Sequence, residues 1–364
     1  MFIGLCGSKQ PPPPYFANAD INLLPGAYAG KMTIAQYLVQ CHGFTRLSLM
    51  PAAVPLLPEE NPDHVFNKAE ALLDFVTKHW RERWVIADIP SEHELDMFAR
   101  RPFFLLVSVD APLQTRWRRF QSDDTQWHLF SRRIVGSLPK AAPAPPSSLD
   151  EFVTFSDTLL FDPVRGQLPL MSRASVRILN TSADLSQLYA HLDALDLLNP
   201  DRLRPSWDHY FMSLASLAAQ RSNCMKRRVG CVVVRDRRVV STGYNGTPRG
   251  LRNCGEGGCG RCNAGEGSGH GLATCLCLHA EENALLEAGR ERLREGAVLY
   301  CDTCPCLTCS IKIVQVGIGE VVYSQEYSMD SSTAAVLREG GVRLRQFVPP
   351  PNGLIRLEKA EEYN

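Results

Sequence analysis

Short apolar runs alternate with amphipathic segments along the first half of the chain. Apolar runs of four to eight residues between turn formers are typical of buried strands, whereas apolar positions that recur every three or four residues indicate helices. This alternation predicts a parallel α/β sheet. The strands are predicted at residues 2–6, 84–89, 103–109 and 175–179, and the helices at residues 30–40, just after residue 112 and near residues 184–196.

The second half of the chain has a different order of predicted elements. A helix comes first, and two strands that form a hairpin follow it. A loop rich in glycine and cysteine then spans about residues 245–275. The pattern predicts a sheet of five strands with helices between them. The helices are predicted at residues 207–221, 279–288 and 305–316, and the strands at residues 229–235, 239–244, 297–301, 321–323 and 342–347.

Two domains are expected, because 364 residues exceed the usual size of one domain. The boundary is predicted near residues 197–205, where Asn199-Pro200 and Pro205 interrupt the chain. Residues 139–148 are rich in proline, alanine and serine and predict a low-complexity surface insert. The predicted organisation is a first domain at residues 1–198, a second at residues 204–348 and a C-terminal tail at residues 349–364.

Composition limits the class of protein. Apolar residues make up 45% of the chain, charged residues 21%, and the formal net charge is zero. These values fit a soluble globular protein and argue against stable nucleic-acid binding. Because the chain has no run of about 18 apolar residues and residues 1–8 lack the basic start of a secretory signal, we expect no membrane span. A cytoplasmic, or cytoplasmic and nuclear, location is the expectation.

The cysteines indicate where the chemistry lies. Thirteen cysteines in an intracellular chain favour metal binding or catalysis over disulfides. All except Cys6 and Cys41 lie between Cys224 and Cys309, inside the second domain.

Two motifs in this domain provide the groups of a zinc site. Residues 279–281 read His-Ala-Glu and residues 305–309 read Pro-Cys-Leu-Thr-Cys, each opening a predicted helix. One imidazole and two thiolates give zinc three ligands and leave a fourth position for water, whose pKa zinc lowers to about 7. A lone Cys-x-x-Cys is also found in redox pairs and structural zinc sites, but both motifs in this order resemble the signature of zinc-dependent deaminases. The predicted ligands are His279, Cys306 and Cys309, and the predicted proton carrier is Glu281.

The resemblance extends to further segments, at residues 221–224, 229–233, 243–248, 279–285 and 304–309. Over residues 204–348 the chain is similar to the deoxycytidylate deaminase family, and most to its fungal members; the Gly-Tyr-Asn-Gly-x-Pro element at residues 243–248 separates this family from other zinc deaminases. The resemblance implies zinc-dependent hydrolysis of dCMP to dUMP and ammonia, which supplies dUMP for thymidylate synthesis. It also implies a three-layer α/β/α domain with a mixed five-stranded sheet.

The same resemblance implies roles for residues around the nucleotide. Asn245, beside Gly246 in the glycine-rich element, is expected to contact the nucleotide sugar, and Tyr327 is expected to line the nucleotide pocket. Arg290 matches an arginine near the effector site and subunit contact. A buried tyrosine at a strand end and a solvated arginine at a helix end are the alternatives for Tyr327 and Arg290. Since family members are often oligomeric, activated by dCTP and inhibited by dTTP, the resemblance implies a homo-oligomer with these effectors.

Several potential ligands are surplus to catalysis. A structural zinc site of three or four cysteines would hold a loop that is too polar to pack by itself, and at least one further zinc ion per chain is expected. The resemblance implies such a second zinc, with Cys224, Cys254 and Cys277 at matching positions, and free thiols are the alternative. Cys231 and Cys301 lie in apolar strands and are expected in the core. The surplus groups are Cys224, Cys254, Cys259, Cys262, His270, Cys275 and Cys277.

The first domain resembles a small nucleotide kinase whose phosphate-binding loop is interrupted. Residues 4–8 follow a strand and residues 30–33 (Gly-Lys-Met-Thr) open a helix, but about 20 residues intervene, whereas an intact P-loop is unbroken. Asp88 and Asp110 at strand ends complete the likeness to a nucleoside-monophosphate or dephospho-coenzyme-A kinase. A degenerate P-loop-kinase-like α/β domain with a regulatory or assembly role is therefore expected.

Two alternatives to dCMP deamination are considered. The same chemistry can act on free cytidine, guanine or tRNA adenosine, or the chain can be a nucleotide-sensing regulatory protein whose deaminase half is structural. A monophosphate substrate needs a local cation or a helix N-terminus near its phosphate. The candidate cations are Lys226, Arg227, Arg228, Arg249 and Arg252.

Overall fold

The computed structural model describes residues 1–7, 28–49, 64–87, 89–122, 146–162, 166–265, 267, 270–293, 296–326, 331–350 and 354–356 of the chain. The chain forms two compact units. Unit 1 consists of Met1–Arg204 with Pro351–Asn364, and unit 2 consists of Pro205–Pro350.

The described residues form twelve strands and twelve α-helices, which are given in chain order. The strands are β1 (Phe2–Gly7), β2 (Thr45–Leu49), β3 (His64–Phe66), β4 (Trp84–Ile86), β5 (Phe104–Asp110), β6 (Val176–Leu179), β7 (Gly230–Arg235), β8 (Arg238–Tyr244), β9 (Val298–Thr303), β10 (Glu320–Gln325), β11 (Arg343–Gln346) and β12 (Leu354–Arg356). The helices are α1 (Lys31–His42), α2 (Ala69–Lys78), α3 (Glu92–Ala99), α4 (Leu113–Gln121), α5 (Leu149–Phe161), α6 (Leu168–Ser172), α7 (Leu185–Leu195), α8 (Trp207–Ala219), α9 (Gly260–Asn263), α10 (Ala280–Ala288), α11 (Leu307–Val316) and α12 (Ser331–Glu339).

Unit 1 is built on a seven-stranded sheet in the order β12-β6-β5-β1-β4-β2-β3, in which all neighbouring strands are parallel. Helices cover both faces because side chains alternate along each strand. Ile3 and Leu5 of β1 pack in one cluster with α1 and α7. Phe2 and Cys6 pack in another cluster with α2, α3 and α6. The predicted parallel α/β sheet is confirmed.

Unit 1 also contains strands that the sequence pattern did not predict. The strands β2 and β3 are not predicted by the apolar pattern, because β3 has only three residues and neither is a continuous apolar run. Within the predicted tail at residues 349–364, Leu354–Arg356 form β12, which pairs in parallel with β6 and satisfies backbone groups along the outer edge of that strand. The kinase-like identity of this unit is not confirmed. The interruption of the P-loop at residues 8–27, Asp88 and the insert at residues 139–148 lie outside the described residues.

Unit 2 contains a mixed five-stranded sheet in the order β11-β10-β9-β7-β8, as predicted. The strand β7 is antiparallel to both of its neighbours, and the other pairs are parallel. Val232 and Val234 of β7 pack against α8 on one face, whereas Cys231 and Val233 pack on the other face with residues of α10, α11 and α12. The unit is therefore a three-layer α/β/α structure. Cys231 lies opposite Cys301 in the sheet and both are fully buried, as expected of core residues.

Within the described ranges, no helix combines the length and the apolar character that a membrane crossing requires.

Candidate active site

The three predicted zinc ligands converge at the start of two neighbouring helices of unit 2. His279 is the residue before α10, and Cys306 is the residue before α11. The Nδ1 atom of His279 lies 3.3 Å from the Sγ of Cys306 and 3.4 Å from the Sγ of Cys309. The three ligand atoms all lie within 4.8 Å of one another. One imidazole and two thiols in this arrangement fit a tetrahedral zinc ion and leave its fourth position open.

The environment of Cys306 favours the thiolate form, which is the form that binds metal. Hydrogen bonds from Cys309 and from His279 lower the pKa of Cys306 to about 3, against the desolvation that would raise it. Cys309 is the donor in the shared hydrogen bond, which raises the pKa of its own thiol. The N-terminus of α11 adds a favourable field for negative charge. The helix α11 begins at Leu307, so Pro305 precedes it. The predicted start of this helix at residue 305 is therefore two residues too early.

Glu281 occupies the first turn of α10, two residues after the histidine ligand. Its side chain is 4% exposed, and burial raises the pKa of its carboxyl to about 7. A carboxyl that gains and loses a proton near neutral pH suits a group that transfers protons in both directions. Glu281 is not among the three groups that converge on the ligand position.

Close packing holds α10 against the end of β8. A Cβ atom at Gly243 would lie 2.2 Å from the carbonyl oxygen of Ala280 and 2.5 Å from the amide nitrogen of Ala284, so only glycine permits this approach. The Nδ2 of Asn283 donates a hydrogen bond of 2.8 Å to the carbonyl of Tyr244. Sequence reasoning missed this role of Asn283, although the residue lies within one of the matching segments.

The glycine-rich element after β8 is tied directly to the chain beside the histidine. Gly246 exchanges two backbone hydrogen bonds with Leu278, of 3.2 and 2.9 Å. A side chain at Gly246 would meet the Oδ1 of Asn223 at 2.3 Å, and the same Oδ1 accepts a hydrogen bond from the amide of Thr247. Asn223 is thus a second positioning residue that sequence reasoning missed.

The Asn245 side chain is buried and bonded to neighbouring backbone. Its Oδ1 accepts hydrogen bonds from the amide of Val229 at 2.8 Å and from the hydroxyl of Ser222 at 2.7 Å. Its Nδ2 donates one of its two hydrogens to the carbonyl of Arg227 at 2.7 Å. Asn245 therefore fixes the segment that leads into β7.

The candidate cations differ in their surroundings. Arg227 lies at the carboxyl ends of β9 and β10, where its NH2 is 3.2 Å from both the Oγ1 of Thr303 and the Oε1 of Gln325. The end of β9 leads directly to the segment that carries Cys306. Arg249 is exposed, and Lys226 contacts the carbonyl of Gly267.

The remaining residues with expected nucleotide or effector roles are Arg290 and Tyr327. Arg290 is exposed and follows the C-terminal end of α10, about 13 Å along the helix from His279 at 1.5 Å per residue. Tyr327 lies outside the described residues.

A second group of potential ligands consists of the six surplus cysteines, here called the cysteine cluster. They form two sets of four in which all sulfur atoms lie within 4.8 Å of one another. His270 belongs to neither set; its carbonyl accepts a hydrogen bond from Arg261. One set is Cys224, Cys254, Cys262 and Cys277, and the other is Cys259, Cys262, Cys275 and Cys277.

Comparison with known proteins agrees with the geometry of unit 2 and reaches into unit 1. The model of the "Cytidine and deoxycytidylate deaminase zinc-binding region" matches residues 205–325. The deoxycytidylate deaminase of Schizosaccharomyces pombe is 48% identical over 332 residues, which cover 90% of this chain and 96% of that enzyme. The deoxycytidylate deaminase of Saccharomyces cerevisiae is 46% identical over 294 residues, which cover 78% of this chain and 87% of that enzyme.

Among solved structures, the dCMP deaminase of the cyanophage S-TIM5 in complex with dCMP and dUMP is 31% identical, with a TM-score of 0.32 and a coverage of 40% of this chain and 98% of that one. The identity to the two fungal enzymes spans most of both units, which confirms the resemblance stated from the sequence motifs. The chain belongs to the deoxycytidylate deaminase family.

Proposed function

We propose that this protein hydrolyses dCMP to dUMP and ammonia. The observation that carries the proposal is the convergence of His279, Cys306 and Cys309 beside the buried carboxyl of Glu281. Nucleophilic attack by water on a pyrimidine ring needs an activated water and a group that moves protons, and this site can hold both. Membership of the deoxycytidylate deaminase family supports the choice of substrate.

In this reaction His279, Cys306 and Cys309 would hold zinc, and Glu281 transfers the protons. When bound, zinc supplies Lewis-acid activation that lowers the pKa of water to about 7. The Glu281 carboxylate takes a proton from the attacking water and delivers it to the ring nitrogen next to the amino-bearing carbon. After the water oxygen has bonded to that carbon, Glu281 transfers the second proton to the amino group, which leaves as ammonia. The products are dUMP and ammonia, and Glu281 returns to its initial state.

Recognition of the monophosphate is assigned to Arg227. Its position at the ends of β9 and β10 places a cation at the carboxyl end of β9, the strand that leads to Cys306. Asn245 holds the backbone of Arg227, and Gly246 holds that of the histidine segment. Asn245 is proposed to contact the nucleotide sugar through its second Nδ2 hydrogen. The proposal also includes Tyr327 as a residue that lines the nucleotide and Arg290 as a residue of an effector site. The protein is proposed to form a homo-oligomer that dCTP and dTTP regulate.

The test is deamination of dCMP and of deoxycytidine by the wild type and two variants. One charge-assisted contact to phosphate contributes about 1.5–3 kcal/mol, so dCMP should exceed deoxycytidine at least about tenfold in kcat/KM. Arg227→Ala should reduce this preference, whereas Arg249→Ala, which changes an exposed arginine, should retain it. Equal efficiency on the two substrates in the wild type would favour a nucleoside deaminase. A preference that survives in Arg227→Ala and disappears in Arg249→Ala would move the phosphate contact to Arg249.

The cysteine cluster is proposed to bind structural zinc. The sulfur donors are those that zinc prefers. Five of the six cysteines lie in the loop between β8 and α10, whose described residues have little regular structure, and Cys224 lies between α8 and β7. Unit 1 is proposed to be a kinase-like domain without phosphotransfer activity. The parallel strand order β6-β5-β1-β4-β2, with helices on both faces, supports the kinase-like fold. Lys31 is fully buried at the start of α1, a position unsuited to a phosphate ligand that must reach solvent.

A further inference from the structure

The two sets of four cysteines in the cysteine cluster overlap. Cys262 and Cys277 belong to both sets, Cys224 and Cys254 only to the first, and Cys259 and Cys275 only to the second. We propose that the cluster is a binuclear site in which two zinc ions share the thiolates of Cys262 and Cys277. The inference rests on the proposal that these cysteines bind zinc, and extends it from one ion to two.

The sulfur–sulfur distances fit two tetrahedra that share an edge. Tetrahedral zinc with Zn–S bonds of about 2.3 Å has sulfur atoms about 3.8 Å apart, whereas a disulfide has about 2.05 Å. The shared edge, Cys262 to Cys277, measures 3.9 Å. In the first tetrahedron Cys224 lies 3.8 Å from Cys262. In the second, Cys275 lies 3.9 Å from both Cys259 and Cys262.

A single ion would leave two of these cysteines without a metal. If the first set alone held zinc, Cys259 and Cys275 would remain thiols beside it, although Cys259 is fully buried. If the second set alone held zinc, the fully buried Cys254 and the half-buried Cys224 would be left over. Two ions use all six sulfurs, as in the Zn₂Cys₆ modules of DNA-binding proteins.

Hydrogen-bond donors around the cluster match the charge of this arrangement. Two zinc ions balance four of the six thiolate charges, so net negative charge remains. The amide of Leu276 donates to the Sγ of Cys259 at 3.4 Å, and NH1 of Arg261 donates to the Sγ of Cys275 at 3.5 Å. The two sulfur atoms that belong only to the second set therefore each accept a hydrogen bond from a neighbouring N–H group.

The loop between β8 and α10 has little regular structure to stabilise it. Between β8 and α10 its described residues form the short helix α9 and two 3₁₀ turns, Cys254–Glu256 and Leu272–Thr274, and the buried apolar cluster there consists of cysteines. A metal pair in the centre therefore takes the place of a hydrophobic core. Because Leu278 and His279 follow Cys277 directly, the cluster also fixes the entry to α10.

Native mass spectrometry of the full-length chain, purified without chelators, tests the proposal because it counts bound ions in single molecules. The wild type should carry about three zinc ions per chain, one catalytic and two in the cluster. Cys259→Ala/Cys275→Ala should carry one fewer, Cys306→Ala should also carry one fewer, and Cys41→Ala, which changes an exposed cysteine, should carry all three. A wild type with two ions, one of which is lost in Cys306→Ala, would overturn the binuclear site while leaving a single structural zinc.

A measurement on the wild-type sequence covers the case in which the double variant does not fold. With ¹¹³Cd in place of zinc, bridging thiolates should give two cluster resonances that are split by coupling to each other. Two uncoupled resonances, or one, would overturn the shared ligands. The outcome is independent of the proposed reaction, because a chain with three zinc ions and no action on dCMP would contradict the function and leave the binuclear cluster standing.

Discussion

Unit 1 and unit 2 have the same layered plan, a sheet covered by helices on both faces, yet they use their polar residues differently. In unit 2, His279, Cys306 and Cys309 lie at the starts of two helices and converge on one position. In unit 1, Arg119 donates hydrogen bonds to the carbonyls of Tyr28 and Ser182 and so connects two loops of its own fold.

The difference extends to the aspartate at the end of β5. The Oδ1 of Asp110 accepts a hydrogen bond from the amide of Ala111 at 2.9 Å and pairs with Arg116 at 3.8 Å. Arg116 is buried and also donates to the carbonyl of Ala111. These contacts stabilise the turn from β5 into α4. Similar architecture therefore does not imply similar function; the groups that converge on one point decide it.

The largest expected effect is on the proton carrier of unit 2. Glu281→Gln should lower kcat for dCMP by about 10²–10⁴-fold, because the amide cannot accept and return a proton. Its zinc content should equal that of the wild type, since Glu281 is not among the convergent ligands. Steady-state kinetics and metal analysis on the same sample measure both.

Glu282→Gln is the matched control, because Glu282 is the next residue of α10 and pairs with Lys312 at 2.6 Å on the surface of unit 2. That variant should retain most activity. If both variants lost activity equally, or if Glu281→Gln turned over dCMP normally with zinc bound, the assignment of the proton carrier would be wrong.

An intermediate effect is expected where β8 meets α10. Gly243→Ala should lower the free energy of unfolding of unit 2 by about 1–3 kcal/mol, because its Cβ would overlap the backbone of Ala280 and force the helix away. Since α10 carries Glu281, activity should fall as well.

Gly319→Ala is the control for this substitution, because its Cβ would meet nothing closer than 3.8 Å, and its stability should stay within about 0.5 kcal/mol of the wild type. Denaturant unfolding of the three proteins compares them. Equal stability of Gly243→Ala and wild type would show that the helix can move without cost and that the glycine has no packing role.

The smallest effect is expected in unit 1. The full-length chain should transfer no phosphate from ATP to dCMP or dephospho-coenzyme A, because a working P-loop needs an unbroken run of backbone amides before its lysine. Lys31→Met keeps the length of this buried side chain and should leave kcat/KM for dCMP within about twofold of the wild type. ATP-dependent product that disappears in Lys31→Met would instead make unit 1 a kinase and remove the contrast between the two units.

Local spacing accounts for what the sequence predicted well. His279, Glu281, Cys306 and Cys309 lie in two short motifs whose members are brought together by single helix starts, so residue identity and spacing identify the site. The strands β7, β9 and β10 of unit 2 are found because each contains an apolar run. In unit 1 the strands β2 and β3 are not predicted, since neither is a continuous apolar run and β3 has only three residues.

The sequence by itself determined which residues are predicted to bind zinc and to carry protons, because both roles are specified by residue type at fixed separation. Only the tertiary structure decided that Arg227 lies at the carboxyl ends of β9 and β10, that β12 extends the sheet of unit 1 beyond β6, and that six cysteines divide into two overlapping sets. Each of these depends on contacts between residues far apart in the chain. Such contacts are set by packing of whole elements, which no local pattern encodes.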